Sequence, residues 1–214
     1  MRVLRLVAGD GVVVFDGRGC EWPAQIVQME KQGVTLRVGD AITPQRESSL
    51  VVTLIQGISG GERMDFTLQK AVELGVQQIR PVTCARSVVR LTGERAQKRQ
   101  QHWQQLVISA CEQCGRNVVP EVLPIAAFSE GLHNTDMGLR ILLDPVAKQT
   151  LRELPLPNAG VCLLAGPEGG FDSREMAQAV QAGFVGVRLG PRVLRTETAA
   201  LAAVSAMQML WGDF

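Results

Sequence analysis

The chain lacks the features that would place it in a membrane or a secretory pathway. No apolar run approaches the span of a membrane helix, and the N-terminus has no signal-peptide hydrophobic region, so a cytoplasmic protein is expected. Histidine is scarce, with two in 214 residues, and the five cysteines are an odd number without framework spacing. Cys111 and Cys114 form a C-x-x-C, but one such pair and two histidines do not complete a four-ligand zinc site. The pair sits inside a helical pattern, not at a strand–turn–helix junction, so two reduced thiols and no metal are expected. A net charge of +1 excludes a polycationic nucleic-acid binder. Neither G-x-x-x-x-G-K-[ST] nor G-x-G-x-x-G occurs, which argues against a nucleotide-dependent enzyme such as a dehydrogenase.

What is present fits an ordinary globular chain, with 46% hydrophobic and 20% charged residues. Its length suits one or two domains. Residues 2–55 read as short strands between turns. Val12 to Phe15 runs into Asp16-Gly17-Arg18-Gly19, and Ala24 to Met29 and Val34 to Val38 flank Glu30-Lys31-Gln32-Gly33. Both are hairpin signals, and their spacing predicts a small β-barrel. Residues 43–49 are polar and read as a linker. Strands then alternate with helices, which predicts a parallel sheet. Strands are expected at 50–56, 79–82 and 139–143. Met64, Leu68, Ala71 and Val72 recur at helical spacing up to Gly75, and a long helix over 94–114 stops at Gly115. The helix over 196–211 is apolar nearly all round (Ala199, Leu201, Val204, Met207, Leu210), so it should be buried in a core or a subunit interface.

The stretch from Val161 to Ala199 is the most informative. An apolar run meets the turn Gly166-Pro167-Glu168-Gly169-Gly170, and a helix start follows. Asp172 stands at an N-cap position with Glu175 three residues on, the spacing of a capping box. A second apolar run, Phe184 to Leu189, ends in Gly190-Pro191-Arg192. Two such junctions in one parallel sheet put their loops together at the strands' carboxyl ends, where open α/β sheets bind ligands. Glu168 would repel a phosphate and accept a cationic or neutral ligand. These glycines could also serve only to make a tight strand–helix turn.

Basic residues cluster from Arg86 to Arg99, with Arg86, Arg90, Arg95, Lys98 and Arg99 against Glu94. The run reads as either a solvated helix face or a patch for RNA phosphates.

The strings GPEGGF and LGPRVLRTETA, followed by an Ala-rich helix, resemble the SPOUT methyltransferases. Within them the chain is similar to the RsmE family, which methylates N3 of a uridine in small-subunit ribosomal RNA. GERMDFTLQKAVELGV (61–76), SACEQCGRNVVPEV (109–122), VLRL (3–6) and FDG (15–17) carry the resemblance over most of the chain. It implies a PUA-like RNA-binding barrel over residues 1–48 and a SPOUT α/β domain over 49–214 with a deep C-terminal trefoil knot. Family members have a further strand ahead of the VLRL segment, so the barrel is expected to be partial.

The resemblance also implies a site. S-adenosylmethionine would lie against Leu143, Gly166, Pro167, Glu168, Gly169, Leu189, Gly190, Leu194, Arg195, Thr198 and Ala199. Glu168 would offset the sulfonium charge or bind ribose hydroxyls. Uridine N3 must lose its proton before it attacks, so a base or an anion-stabilising arginine is needed. Arg195 is assigned the anion or a phosphate and Glu197 the base. The same pair could instead be a surface arginine and an acidic first turn. Arg86 and Arg90 would contact 16S ribosomal RNA. Glu112, Gln113, Arg116 and Asn117 form a polar helix end whose amides could read a splayed base. Arg63, Lys70 and Glu73 match further family positions, though Lys70 and Glu73 fit an i,i+3 helix pair equally well. His102 and His133 are expected to be incidental. The partners implied are small-subunit RNA in an assembled subunit and a second copy of the chain, as a homodimer. The rival function is a non-catalytic RNA-binding assembly factor.

Overall fold

The computed structural model describes residues 6–133 and 138–214; Val3, Leu4 and Arg5 of the VLRL segment lie outside them. The chain divides into two compact units. The first holds the N-terminal residues to Glu47 together with Gly115–Val119. Its strands β1 (Gly11–Phe15), β2 (Glu21–Met29) and β3 (Val34–Val38) form an antiparallel sheet in the order β1-β2-β3, with a bulge between Ile26 and Gln28. Tight turns at the predicted places join them. At the first, Asp16 Oδ1 accepts from the Arg18 and Cys20 N–H groups.

The polar segment 43–49 is more than a linker. Arg46 grips the buried Glu21 through both guanidinium nitrogens, at 2.7 and 3.1 Å, and donates to the Gly115 carbonyl at 2.9 Å. Glu47 accepts a two-pronged pair from Arg116. Asn117 donates to the Gly19 and Pro44 carbonyls, and Val118 bridges Arg18. Gly115–Val119 is therefore an integral strand-like part of this unit.

The second unit is a parallel sheet with helices. Its elements are β4 (Val52–Gly57), α1 (Glu62–Glu73), β5 (Gln78–Thr83), α2 (Gly93–Cys114), β6 (Glu121–Val122), β7 (Ala126–Ala127), α3 (Phe128–Gly131), β8 (Leu139–Leu143), β9 (Val161–Ala165), α4 (Ser173–Gln181), β10 (Val185–Val187) and α5 (Thr196–Trp211). The strand order is β10-β8-β9-β4-β5-β6, with β7 also on β5, and every pairing is parallel. All residues of β4 and β9 are buried, as continuous apolar runs in a sheet covered on both faces require. Ile55, Leu142 and Leu164 pack with Phe128, Ala179 and Phe184 from the α3 and α4 side. Leu54, Ile141 and Leu163 are equally buried.

Three sequence expectations need correction. The basic run does not form one helix face. Arg86 and Arg90 lie on the segment after β5, and only Arg95, Lys98 and Arg99 lie on α2. The last helix is less uniformly apolar than its sequence suggests. Leu210 is exposed, while Gln208 is buried and donates to the Leu74 carbonyl at 2.9 Å. Ser48 donates to Gln208 Oε1 at 2.8 Å. The Gln208 amide thus satisfies a carbonyl at the end of α1, next to Gly75, whose φ of 87° suits glycine. His102, expected to be incidental, faces Asp65 at 2.9 Å, and Asp65 also accepts from Trp103 Nε1 at 3.0 Å. These bonds tie α2 to α1.

Replacing Gln208 by Leu removes the donor and strands the half-buried Leu74 carbonyl. The expected cost is about 1–3 kcal/mol, read as a lower denaturant midpoint with an unchanged slope.

Candidate active site

Three loops leave the carboxyl ends of β8, β9 and β10 and enclose a cavity of about 690 Å³. Leu143, Ala165 and Val187 end these strands and form its inner wall. The capping box of α4 is formed as its spacing predicts. Asp172 accepts from the Glu175 N–H at 2.8 Å, and Glu175 accepts from Asp172 at 2.9 Å. The second oxygen of the buried Glu175 accepts from the Ala85 N–H at 2.7 Å, which fixes the segment after β5.

Most of the predicted cofactor residues converge on this cavity. Leu143, Gly166, Pro167, Glu168, Leu189, Leu194, Arg195 and Ala199 line it, as do Glu197 and Arg86. Gly169, Gly190 and Thr198 border these residues without lining it. Gly169 has a different constraint from the one its sequence suggests. A Cβ there would lie 2.8 Å from Arg86 Cβ and 2.9 Å from the Arg86 carbonyl oxygen, so the glycine makes room for the chain after β5. Arg86 in turn donates to the Gly169 carbonyl at 3.2 Å. Glu112 and Gln113 are exposed near the end of α2, and Arg90 is exposed on the segment after β5. Arg116 and Asn117 are buried, their side chains bonded within the first unit. Those bonds engage the groups expected to read a base. Lys70 and Glu73 form the i,i+3 pair at 2.7 Å.

The electrostatics of the cavity centre on carboxylates. Burial pushes the Glu168 carboxyl up. Hydrogen bonds from the Gly60 N–H, its own N–H and Arg63 outweigh this and hold it below the usual carboxylate range. Glu168 Oε1 receives Gly60 N at 2.8 Å and Arg63 Nη1 at 3.0 Å. Among the described residues, Glu168 Oε2 and Glu197 Oε2 are buried and lack a hydrogen-bond partner. Arg63, Arg86, Arg192 and Arg195 line the same cavity, so carboxylates and guanidinium groups face each other across it. Behind the turn, Cys84 has its thiol pushed up to about 12, by burial first and then by Glu175. It stays protonated and is no nucleophile. Among the described residues no cluster of metal-ligating side chains occurs.

Several contributors escaped the sequence reading. Asp144 and Val146 line the cavity on the loop after β8, where Asp144 Oδ1 accepts the Val146 N–H at 3.0 Å. The Asp-Pro pair after a strand was an available turn signal. Arg192 and Val193 line it from the last loop.

Residues 46–208 match the RNA methyltransferase domain family, and residues 1–39 match the RNA methyltransferase PUA domain. The chain belongs to the RNA methyltransferase family. Its α/β unit carries the methyltransferase match, and its N-terminal strands carry the PUA match. A ribosomal RNA small subunit methyltransferase E from Buchnera aphidicola of Acyrthosiphon pisum is 33% identical, covering 100% of this chain and 85% of the relative. The protein of that name from Bacillus subtilis is 30% identical over 100% and 88%. Among solved structures, the Neisseria gonorrhoeae ribosomal RNA small subunit methyltransferase E bound to S-adenosyl methionine is 45% identical. Its TM-score is 0.93, over 100% of this chain and 88% of that one. A Legionella pneumophila methyltransferase in complex with the same cofactor is 39% identical, with a TM-score of 0.95 over 99% and 88%.

The Glu168 carboxylate gives this methyltransferase an acid-sensitive latch. Its depressed folded value means the stabilisation is complete above the unfolded carboxylate range and lost as pH falls through the folded value. Glu168→Gln should therefore flatten the loss of thermal stability below about pH 4.5 relative to the parent, a range set by ordinary glutamate titration. An unchanged acid profile would mean that the latch contributes nothing.

Proposed function

We propose that this RNA methyltransferase transfers the methyl group of S-adenosylmethionine to N3 of a uridine in small-subunit (16S) ribosomal RNA. The observation that carries the reading is one cavity holding two unpartnered carboxylate oxygens, on Glu168 and Glu197, beside Arg195. The names of the Buchnera and Bacillus relatives and the bound cofactor of the Neisseria and Legionella proteins point the same way.

The donor set fits a ligand with a positively charged sulfur and an ammonium group. When bound, S-adenosylmethionine supplies an electrophilic methyl on that sulfur. Glu168 lies where it can offset the charge, and the Gly166–Gly169 and Leu189–Gly190 backbones can approach a flat base closely. Leu143, Leu194 and Ala199 give the apolar wall, with Thr198 at its edge. The remaining problem is the acceptor, because a protonated imide nitrogen has no lone pair to offer. Glu197 Oε2 takes the N3 proton, and Arg195 stabilises the charge that develops on the uracil. Holding both reactants in near-attack geometry supplies the rest.

The same reading extends to the rest of the chain. Residues 1–48, completed by Gly115–Val119, form a partial PUA-like barrel, and the remainder of 49–214 is the catalytic domain. A trefoil knot agrees with β10 lying beyond β8 from β9 while α5 returns against β9 and the turn at Leu151–Glu153. Arg86 and Arg90 take phosphates, and Glu112 and Gln113 lie beside the RNA path. Met209 and Leu210 on the last helix, with Phe214 beyond its end, give an exposed apolar surface suited to a second copy. The enzyme acts in the cytoplasm on an assembled subunit.

Arg195→Ala should lower single-turnover methyl transfer about 10²–10³-fold at saturating donor and RNA, the usual effect of losing one such donor. Calorimetry should show donor affinity falling far less than the rate. Glu197→Gln should show a defect that shrinks as pH rises and the imide deprotonates unaided. A pH-independent defect would move the base elsewhere, and full activity in both variants would sink the assignment of Arg195 and Glu197 to catalysis. In a separate measurement, Arg90→Ala with Arg95→Ala should weaken RNA binding and reduce its salt slope by about one per lost phosphate contact. An unchanged slope would return the run to solvent.

A further inference from the structure

The mechanism leaves one buried polar side chain unexplained. Gln56 lies next to the last residue of β4 and is fully buried among apolar neighbours. Its Nε2 group lies 3.0 Å from the Gly57 carbonyl oxygen, 3.2 Å from the Gly166 carbonyl oxygen and 3.3 Å from Thr196 Oγ1. The Thr196 hydroxyl donates its own hydrogen to the Gly166 carbonyl in a short bond. This leaves the Thr196 lone pairs free to accept from Gln56. The three groups close a cycle of donors and acceptors.

The orientation of the amide follows from its surroundings. Turning it over would set Oε1 against the Gly57 and Gly166 carbonyls, two acceptors facing a third. With Nε2 towards them, the cost falls on Oε1, which is buried and without a partner among the described residues. An apolar side chain would avoid that cost, so burial alone does not account for an amide here.

The cycle joins the end of β4, the turn after β9 and the first residue of α5. Thr196 stands between Arg195 and Glu197, and Gly166 opens the turn that carries Glu168. We propose that Gln56 is a positioning residue, which sets Arg195 and Glu197 against Glu168 by holding the Thr196 hydroxyl and the Gly166 carbonyl together. The proposal rests on the catalytic reading above for its effect on rate, but its structural part is independent of that reading. Gln56 is absent from the cavity wall, so it acts only through these partners.

The test uses Gln56→Met, which keeps the length of the side chain and removes both the donor and the stranded oxygen. The melting temperature should stay equal to the parent's or rise. Hydrogen exchange of the amides at 195–199 should accelerate at least tenfold. Single-turnover methyl transfer should fall about 10- to 100-fold at saturating donor and RNA, the range expected when reacting groups are misplaced by about 1 Å. Thr196→Val should give the same fall, and the double variant should lose no more than either single one, because all three break one cycle. A lower melting temperature with unchanged exchange at 195–199 would make Gln56 an ordinary structural residue and overturn the proposal. So would multiplicative losses in the double variant. If the parent transfers no methyl group, the catalytic reading fails, while the exchange and melting data still decide whether Gln56 holds the loop.

Discussion

Everything at the ligand cavity depends on the turn after β9 leaning back onto the end of β4. The approach is close enough to decide a residue. A Cβ on Gly57 would lie 2.5 Å from Pro167 Cδ and 2.7 Å from Pro167 N, with Cys84 Sγ at 3.1 Å. No side chain fits there without moving backbone. The contact brings the Glu168 carboxylate to the Gly60 N–H and Arg63, and it brings the Gly166 carbonyl to Gln56 and Thr196. Two loops far apart in sequence are thereby referred to one strand end. The strand cannot shift, since all of its residues are buried between helices.

The charge arrangement follows from this geometry. A carboxylate held by a backbone N–H and an arginine stays ionised in a partly buried place, where burial alone would favour its neutral form. The anchoring bonds use one oxygen of Glu168 and leave the other buried without a partner among the described residues. Glu197 is presented by the first turn of α5, whose own start is fixed through Thr196. The fold thus fixes both carboxylates in place, and preorganised charge of this kind is where enzymes gain most of their electrostatic effect.

Much of this was legible in the sequence, for identifiable reasons. The strands β8 and β9 and the helix α5 have the predicted bounds because apolar runs, Gly-rich turns and the capping pair Asp172 and Glu175 are local signals. The turn glycines and Glu168 could be placed at a ligand site by their position after a strand. The strand order could not be read, because it depends on contacts between residues more than a hundred positions apart. Gln56 and Gln208 were hidden for the same reason. Each is a single polar residue in an apolar segment, and its partner is set by the folded arrangement alone. Arg116 and Asn117 show the converse. A polar cluster at a helix end looks like a binding surface until the folded chain supplies Glu47, Gly19 and Pro44 as partners.

The composition of the first unit has a consequence for how the chain can be divided. Five residues that follow α2 complete it, so its sequence is discontinuous. Severing the polypeptide after residue 48 would separate Glu21 and Arg46 from the Gly115 carbonyl and Glu47 from Arg116. The N-terminal strands are thus no detachable module. Recombination that exchanged them for another RNA-binding head would have to rewrite Gly115–Val119 as well, and a shuffling library cut at a single crossover near that position should yield few well-folded chimaeras.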